Sequence, residues 1–416
     1  MPVVAPHDDT IAPSGKFSQM LNKISGQPES YARKSAYTFG KTLGAGSFGV
    51  VRQARNNTTK EEVAIKIMLK STLNGNEQLV YDELSFLTQL KHPHIVGFRD
   101  WFESKSKFYV VTQLATGGEL FDRIVDLGHF TERDASLVIY QVAEALEYLH
   151  GQNIVHRDVK PENILYLNHE QESPIVLADF GIAKRLRSSD DLIHTSAGSF
   201  GYAAPEVLKG LGHGKLCDVW SLGVITYTLL CGYSPFRSEN IPDFLAEVKH
   251  NNAVIFHEKY WKHISEDARR FIVNLLDVEP TERPSIEQVL QDKWLTNIAA
   301  EHHDVDLLPS IRAGFNAKSK FKQAIELVML QNRIKRLQEL DDDDSDDTDF
   351  EDVGSSSSTG LSGWGALSSA LKKTQSTGSS SSTSSEKKSS DAISALQQLV
   401  KTATQNKERV LNHVEE

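Results

Sequence analysis

The 416 residues carry 45 Lys and Arg against 56 Asp and Glu, a formal net charge of -11, and 39% of them are hydrophobic. That hydrophobic share suffices to bury a sizeable core, while the acidic balance argues against a chain built to hold a nucleic-acid backbone. The most apolar stretch, Val219 to Cys231, carries Ser and Thr and is shorter than the roughly 20 residues a membrane helix needs, so no membrane role is expected.

Much of the negative charge sits in Asp341 to Asp344 and Asp346-Asp347, which leaves the apolar part of the chain closer to neutral. The only cysteines, Cys217 and Cys231, lie in or beside apolar segments without metal-ligand spacing. They read as small buried hydrophobes in a reducing compartment. The opening Met-Pro-Val-Val-Ala-Pro-His-Asp-Asp lacks the basic start and apolar core of a secretory signal, and the expected location is the cytoplasm, extending to the nucleus.

In chain order, residues 1–36 mix Pro, Gly, Ser and charge without a sustained period and are expected to be a flexible lead-in. From Tyr37 the pattern alternates around a glycine turn, Leu43-Gly-Ala-Gly-Ser-Phe-Gly49, as a hairpin would. Gly44, Gly46 and Gly49 let backbone N–H groups approach a triphosphate. A dinucleotide fingerprint would need a helix after the last glycine; Val50-Val51-Arg52-Gln53-Ala54 continues as a strand instead. A third strand, Glu62 to Met68, holds Lys66 among apolar neighbours.

Apolar residues at helical spacing predict a helix from Glu77 to Leu90, and Phe108 to Leu114 reads as a buried strand. Thr131 to His150 has an amphipathic helical pattern that opens on Thr-Glu-Arg-Asp, a cap signal. Between the apolar ends Ile154-Val155 and Ile164-Leu165 lies a polar loop with Asp158, Lys160 and Asn163. Asp158 is suited to accept a proton from a hydroxyl, Lys160 to steady a transferring phosphate, and Asn163 to reach a metal through its amide oxygen. Leu177-Ala-Asp-Phe-Gly181 follows.

Four motifs, Gly44 to Val51, Val63-Ala-Ile-Lys66, the Ile154 to Leu165 loop and Leu177 to Gly181, resemble those of the eukaryotic protein kinases in order and spacing. The likeness runs from about Tyr37 to Leu295 and implies an α+β, two-lobed kinase fold. A small β-rich lobe would span about 37–113 and a larger helical lobe about 114–295. By this resemblance the nucleotide contacts are Leu43, Gly44, Ala45, Gly46, Ser47, Phe48, Gly49, Val51, Ala64, Lys66, Glu83, Thr112, Gln113, Leu114 and Glu119. Glu83 would fix Lys66, and Thr112 would screen the back of the adenine pocket. Asn163 and Asp179 would hold Mg2+ for ATP. The resemblance also pairs Glu206 of Ala-Pro-Glu with Arg283, gives Asp218 the catalytic loop's backbone to hold, and makes residues 182–203 an activation loop. Glu279 stands where the family usually has Asp. A catalytically dead relative would need a lesion in Lys66, Glu83, Asp158, Asn163 or Asp179, and none is altered.

Gly117-Gly-Glu-Leu-Phe-Asp-Arg-Ile124, Lys160-Pro-Glu-Asn-Ile-Leu-Tyr166 and a basic segment from Lys318 to Leu337 resemble the calcium/calmodulin-dependent group, the fungal members above all. That likeness implies a serine/threonine kinase, by its Asp-x-Lys pattern, and substrates with an arginine three residues upstream read through Glu119. Thr195 is the candidate activating phosphosite for an upstream kinase, because Arg157 directly precedes Asp158 and can pair with a phosphate. Phe321, Ile325, Leu330 and Ile334 span about 20 Å of helix at roughly 1.5 Å per residue. They point to two opposite faces, which suits calcium-loaded calmodulin wrapping the helix. Residues 296–340 are thus expected to be a regulatory helix that inhibits the kinase until calmodulin binds, and 341–416 an acidic, Ser-rich disordered tail.

Overall fold

The computed structural model describes residues 26–45, 49–73, 75, 77–188, 191–195, 197–238, 240–250, 254–296 and 305–313. Gly46, Ser47 and Phe48, the four expected calmodulin anchors Phe321, Ile325, Leu330 and Ile334, and the tail lie outside the described residues.

Five strands form the first sheet: β1 (Tyr37–Ala45), β2 (Gly49–Asn56), β3 (Glu62–Leu69), β4 (Phe98–Glu103) and β5 (Lys107–Gln113). They run antiparallel in the order β1-β2-β3-β5-β4. Alternation in β3 decides what each face does. Val63, Ile65 and Ile67 are buried with Val50, Ala54, Phe102, Tyr109 and Val111 in the small lobe's core, whereas Ala64 and Lys66 are half-buried on the other face. Gly49 opens β2 because a side chain there would fall 1.9 Å from the Ile67 carbonyl oxygen.

Helix α1 (Gln78–Leu87) is shorter than the pattern to Leu90 predicts. Thr88 caps it, and the Gln89 and Leu90 N–H groups both close on the Phe86 carbonyl, at 2.9 and 3.2 Å, in a final turn. The lead-in departs more from expectation: Glu29–Ala36 is a 3-10 helix beside β4 rather than a flexible segment. Its side chains take up polar groups on β4, Arg33 reaching Asp100 Oδ1 at 3.0 Å and the Trp101 carbonyl at 3.1 Å.

The larger lobe begins with α2 (Leu120–Asp126) and α3 (Glu132–Gly151). Thr131 and Asp134 form a reciprocal capping box at the start of α3. Short hairpin strands follow, β6 (Ile154–Val155), β7 (Ile164–Tyr166), β8 (Ile175–Leu177) and β9 (Lys184–Arg185), with β6 pairing β9 and β7 pairing β8. After α4 (Pro205–Leu208) comes α5 (Leu216–Cys231), buried at every position from Cys217 on. A helix apolar on all sides must sit inside a bundle. Around it stand α6 (Ile241–His250), α7 (Glu258–Trp261), α8 (Glu266–Leu275), α9 (Ile286–Leu290) and α10 (Lys293–Thr296).

Residues 305–313 return to this lobe, with 308–313 helical and Leu307, Leu308 and Ile311 buried. Arg312 donates to the carbonyls of Val125 and Leu127, both at 2.8 Å. Gly232, at φ 84°, closes α5 against this segment; a side chain there would lie 2.6 Å from Ile311 Cα. No described helix is long and apolar enough to cross a membrane.

Candidate active site

Lys66 lies between two carboxylates. Its Nζ is 2.7 Å from Asp179 Oδ1 and 3.6 Å from Glu83 Oε1. Strand β3 aims it into the cleft, α1 supplies Glu83, and the turn after β8 supplies Asp179. Burial alone would pull the Lys66 ammonium down, but Asp179 and Glu83 outweigh it and hold the group charged, with a raised pKa. Burial pushes the Glu83 carboxyl up, countered in part by Lys66. Burial also favours the neutral form of Asp179, yet the Lys66 charge, its hydrogen bond and the Gly181 N–H bring that carboxyl down to about 2.

Around this triad, Val51, Ala64 and Thr112 share the face of the sheet that carries Lys66. Val51 faces Lys66 across β2 and β3, and Ala64 faces Thr112 across β3 and β5. Val51, Ala64, Thr112, Gln113 and Leu114 are all half-buried, and Leu43 and Glu119 are exposed. The link between lobes passes through Gly117, where a side chain would lie 2.2 Å from the Asn168 carbonyl oxygen. Leu165, half-buried on β7 and bridged to Glu119, belongs to the same region and escaped the sequence reading because a strand leucine carries no distinguishing signal.

The polar loop is gathered onto Asp218, which is fully buried on α5. Its carboxylate accepts the backbone N–H of His156 at 2.9 Å and of Arg157 at 2.8 Å, and lies 2.9 Å from His150 Nε2. Arg157 adopts φ 66° and Asp179 φ 60°, a region that costs non-glycine residues energy and is kept only where surroundings enforce it. One residue further on, Asp158 accepts from Lys160 Nζ at 2.6 Å, from Asn163 Nδ2 at 3.1 Å and from Ser199 Oγ at 2.8 Å. Lys160 also reaches Ser199 Oγ at 2.8 Å.

Ser199 completes this group and was not among the residues the sequence singled out. The signal that could have found it is Gly198, at φ 111°, where a side chain would lie 2.7 Å from the Arg157 carbonyl oxygen. Only glycine lets the two loops meet there. Arg157 reaches back across the same junction, donating from Nη1 to Thr195 Oγ1 at 3.1 Å and from Nε to the Ile182 carbonyl at 2.6 Å. Further out, Arg283 makes a two-pronged pair with Glu206, at 2.7 and 2.8 Å.

Asn163 and Asp179 are fit to hold a small hard cation. Asn163 spends its Nδ2 on the Asp158 carbonyl and carboxylate, and Asp179 spends Oδ1 on Lys66 and Gly181, which leaves the amide Oδ1 and carboxylate Oδ2 as oxygen donors. The Ala178 N–H donates to the Asn163 carbonyl at 2.8 Å and sets the two residues side by side. Among the described residues no group of three or more His, Cys, Asp or Glu could form a metal cage, so water and substrate oxygens would complete the coordination.

Residues 37–295 match the protein kinase domain family. Over 321 residues the chain is 59% identical to the calcium/calmodulin-dependent protein kinase cmkA of Emericella nidulans, covering 77% of this chain and 76% of that protein. It is 56% identical over 321 residues to a calcium/calmodulin-dependent protein kinase of Metarhizium anisopliae, covering 77% and 82%. The calcium/calmodulin-dependent protein kinase type 1B of Rattus norvegicus is 39% identical over 305 residues, covering 73% and 88%.

The depressed Asp179 carboxyl makes a signed prediction. A lowered folded-state pKa contributes stability that is complete above the ordinary value of 3.8 and is lost as pH falls toward about 2. The full contribution is about 2 kcal/mol. Urea unfolding should therefore show wild type losing ground to Asp179→Asn as pH falls through that window; a pH-independent difference would contradict it.

Proposed function

From the premise that this chain belongs to the protein kinases, within the calcium/calmodulin-dependent group, we propose that it is a serine/threonine kinase. It transfers the γ-phosphoryl group of ATP to protein hydroxyls, and its C-terminal segment holds it off until calcium-loaded calmodulin binds. The observation that carries the catalytic part is the Asp158 carboxylate, held by Lys160, Asn163 and Ser199 beside the Lys66–Asp179 pair.

In this reading Asp158 orients the substrate hydroxyl and takes its proton as the oxygen bonds to the γ-phosphorus and the bond to ADP breaks. Lys160 neutralises charge on the transferring group, and Lys66, steadied by Glu83, holds the nucleotide phosphates. Bound Mg2+ supplies positive charge shared across those phosphates. Asn163 and Asp179 would hold it, and Lys66, 2.7 Å from Asp179, would direct its charge to the phosphates while keeping Glu83. Asp158→Asn should lower turnover of a peptide with arginine three residues before its serine by about 10²- to 10⁴-fold without lowering the melting temperature. Near wild-type turnover would overturn the assignment.

Thr195 is the proposed activating phosphosite. Arg157 offers a guanidinium whose bonds go to neutral oxygens of Ile182 and Thr195, and a phosphate of roughly -1.5 to -2 charges would give it a full partner and fix the loop. Mass spectrometry of the activated enzyme should find Thr195 modified, and Thr195→Ala should remove the stimulation an upstream kinase brings. An unmodified Thr195 together with a fully active alanine variant would dispose of this site.

Support for the inhibitory part comes from residues 305–313, which anchor the chain on the larger lobe through Leu307, Leu308 and Ile311 shortly before the proposed calmodulin segment. A ligand shifts an equilibrium only by binding one state better, so calmodulin must take the segment away from the inhibited kinase. Ending the chain after Ala313 keeps that anchor and should give activity independent of calcium and calmodulin. In the full chain, Phe321→Asp should weaken calcium-dependent calmodulin binding by placing a charge in an apolar groove. Full activity of the intact protein in chelator, or an unchanged calmodulin affinity in Phe321→Asp, would exclude this mode of control.

A further inference from the structure

We propose that residues 26–36, ahead of β1, are a positioning element for the reaction: they hold β4 so that β4 holds α1, and α1 keeps Glu83 on Lys66. Strand β4 is the edge of its sheet, and an edge leaves a row of backbone N–H and C=O groups without strand partners. The segment supplies them from side chains. Ser30 Oγ accepts the Glu103 N–H at 3.2 Å, Arg33 donates to the Trp101 carbonyl at 3.1 Å, and in the turn just after β4 Gln27 Oε1 accepts the Lys105 N–H at 3.0 Å. Arg33 also pairs with Asp100 Oδ1 at 3.0 Å, and Tyr37 donates to the other Asp100 oxygen at 3.2 Å.

Two residues of β4 face both ways. Trp101 gives its carbonyl to Arg33 and its ring, at 6.0 Å between centroids, to Tyr81 of α1. Glu103 gives its N–H to Ser30 and its carboxylate to Tyr81 Oη, at 3.2 and 3.3 Å, while Lys70 Nζ holds that carboxylate from the end of β3 at 2.6 Å. Tyr81 also sets its ring edge-to-face on Phe108 at 5.4 Å. Glu83 follows Tyr81 by two residues on a helix of 10 residues whose N-terminus has no side-chain cap. So short a helix takes its position from tertiary contacts rather than from its own stability, and β4 supplies those on the Tyr81 side.

The inference rests on the kinase reading only for its activity readout. In the full-length chain, Arg33→Ala and Ser30→Ala together should lower kcat about threefold to tenfold with a smaller change in KM for the peptide. Hydrogen exchange of the α1 amides should quicken while that of α5 stays unchanged. Arg33→Lys, which keeps a cation for Asp100, should recover part of the loss. Because the effect travels through Glu83, the same pair of changes made in a Glu83→Gln background should cost little further activity. Unchanged α1 exchange, faster exchange across both lobes alike, or an equal loss of kcat in the Glu83→Gln background would overturn the proposal. The exchange measurement stands even on a chain that transfers no phosphate, so failure of the kinase reading and failure of this one are told apart.

Discussion

The buried carboxylate of Asp218 is the constraint on which the site depends. Burial by itself would push its pKa up, yet the His150 ring and the backbone N–H bonds bring it down, so it stays an anion inside the larger lobe. An anion with no solvent must be given donors, and here the donors are the backbone of the loop that carries Asp158. Arg157 is thereby held at φ 66°, and that turn sends Asp158 to one side of the loop and the Arg157 guanidinium to the other, toward Thr195. One buried charge thus sets both the group proposed for proton transfer and the group proposed to sense phosphorylation.

A second charge cluster joins the lobes. Lys66 belongs to the sheet, Glu83 to α1 and Asp179 to the larger lobe, and the ammonium is within 4 Å of both carboxylates. Beside it Phe180 is buried with its ring near Phe86 of α1, at 6.4 Å, and His156 of the polar loop, at 4.9 Å. Backbone bonds run alongside: the Val96 N–H donates to the Leu177 carbonyl at 3.0 Å, and the Leu177 N–H to the His94 carbonyl at 2.9 Å. The position of α1 is therefore felt in the polar loop through packing as well as through charge, since close-packed interiors transmit displacement rather than absorb it.

What the sequence made legible was whatever depends on near neighbours. The alternation in Glu62–Leu69, the Thr131–Asp134 capping box and the apolar α5 all follow from local pattern. Resemblance added the roles of Glu83, Asp218 and Arg283, which no spacing rule gives. The misses share a cause. Ser30 and Arg33 look like a polar lead-in because their partners, Glu103 and Trp101, stand 73 and 68 residues away on an edge strand. Ser199 looks like any loop serine until its Asp158 partner, 41 residues earlier, is beside it. Hydroxyls and guanidiniums serve equally well in water and against a distant backbone group, so composition alone cannot tell the two uses apart.

The family match stops at residues 37 and 295, but the polar groups do not close there. Without 26–36, the edge of β4 and the turn after it would lose the side chains that take the Glu103 and Lys105 N–H groups. Without 305–313, the carbonyls of Val125 and Leu127 at the end of α2 would lose Arg312, and the Phe130 carbonyl would lose the Leu307 N–H. A helix C-terminus favours a cation and leaves carbonyls that something must satisfy, and Arg312 does both. Each flank thus completes an element that also serves the site, β4 behind the helix of Glu83 and α2 behind the exposed Glu119. A flank bound in this way can affect the reaction without touching substrate, because loosening it changes the support of a group that does.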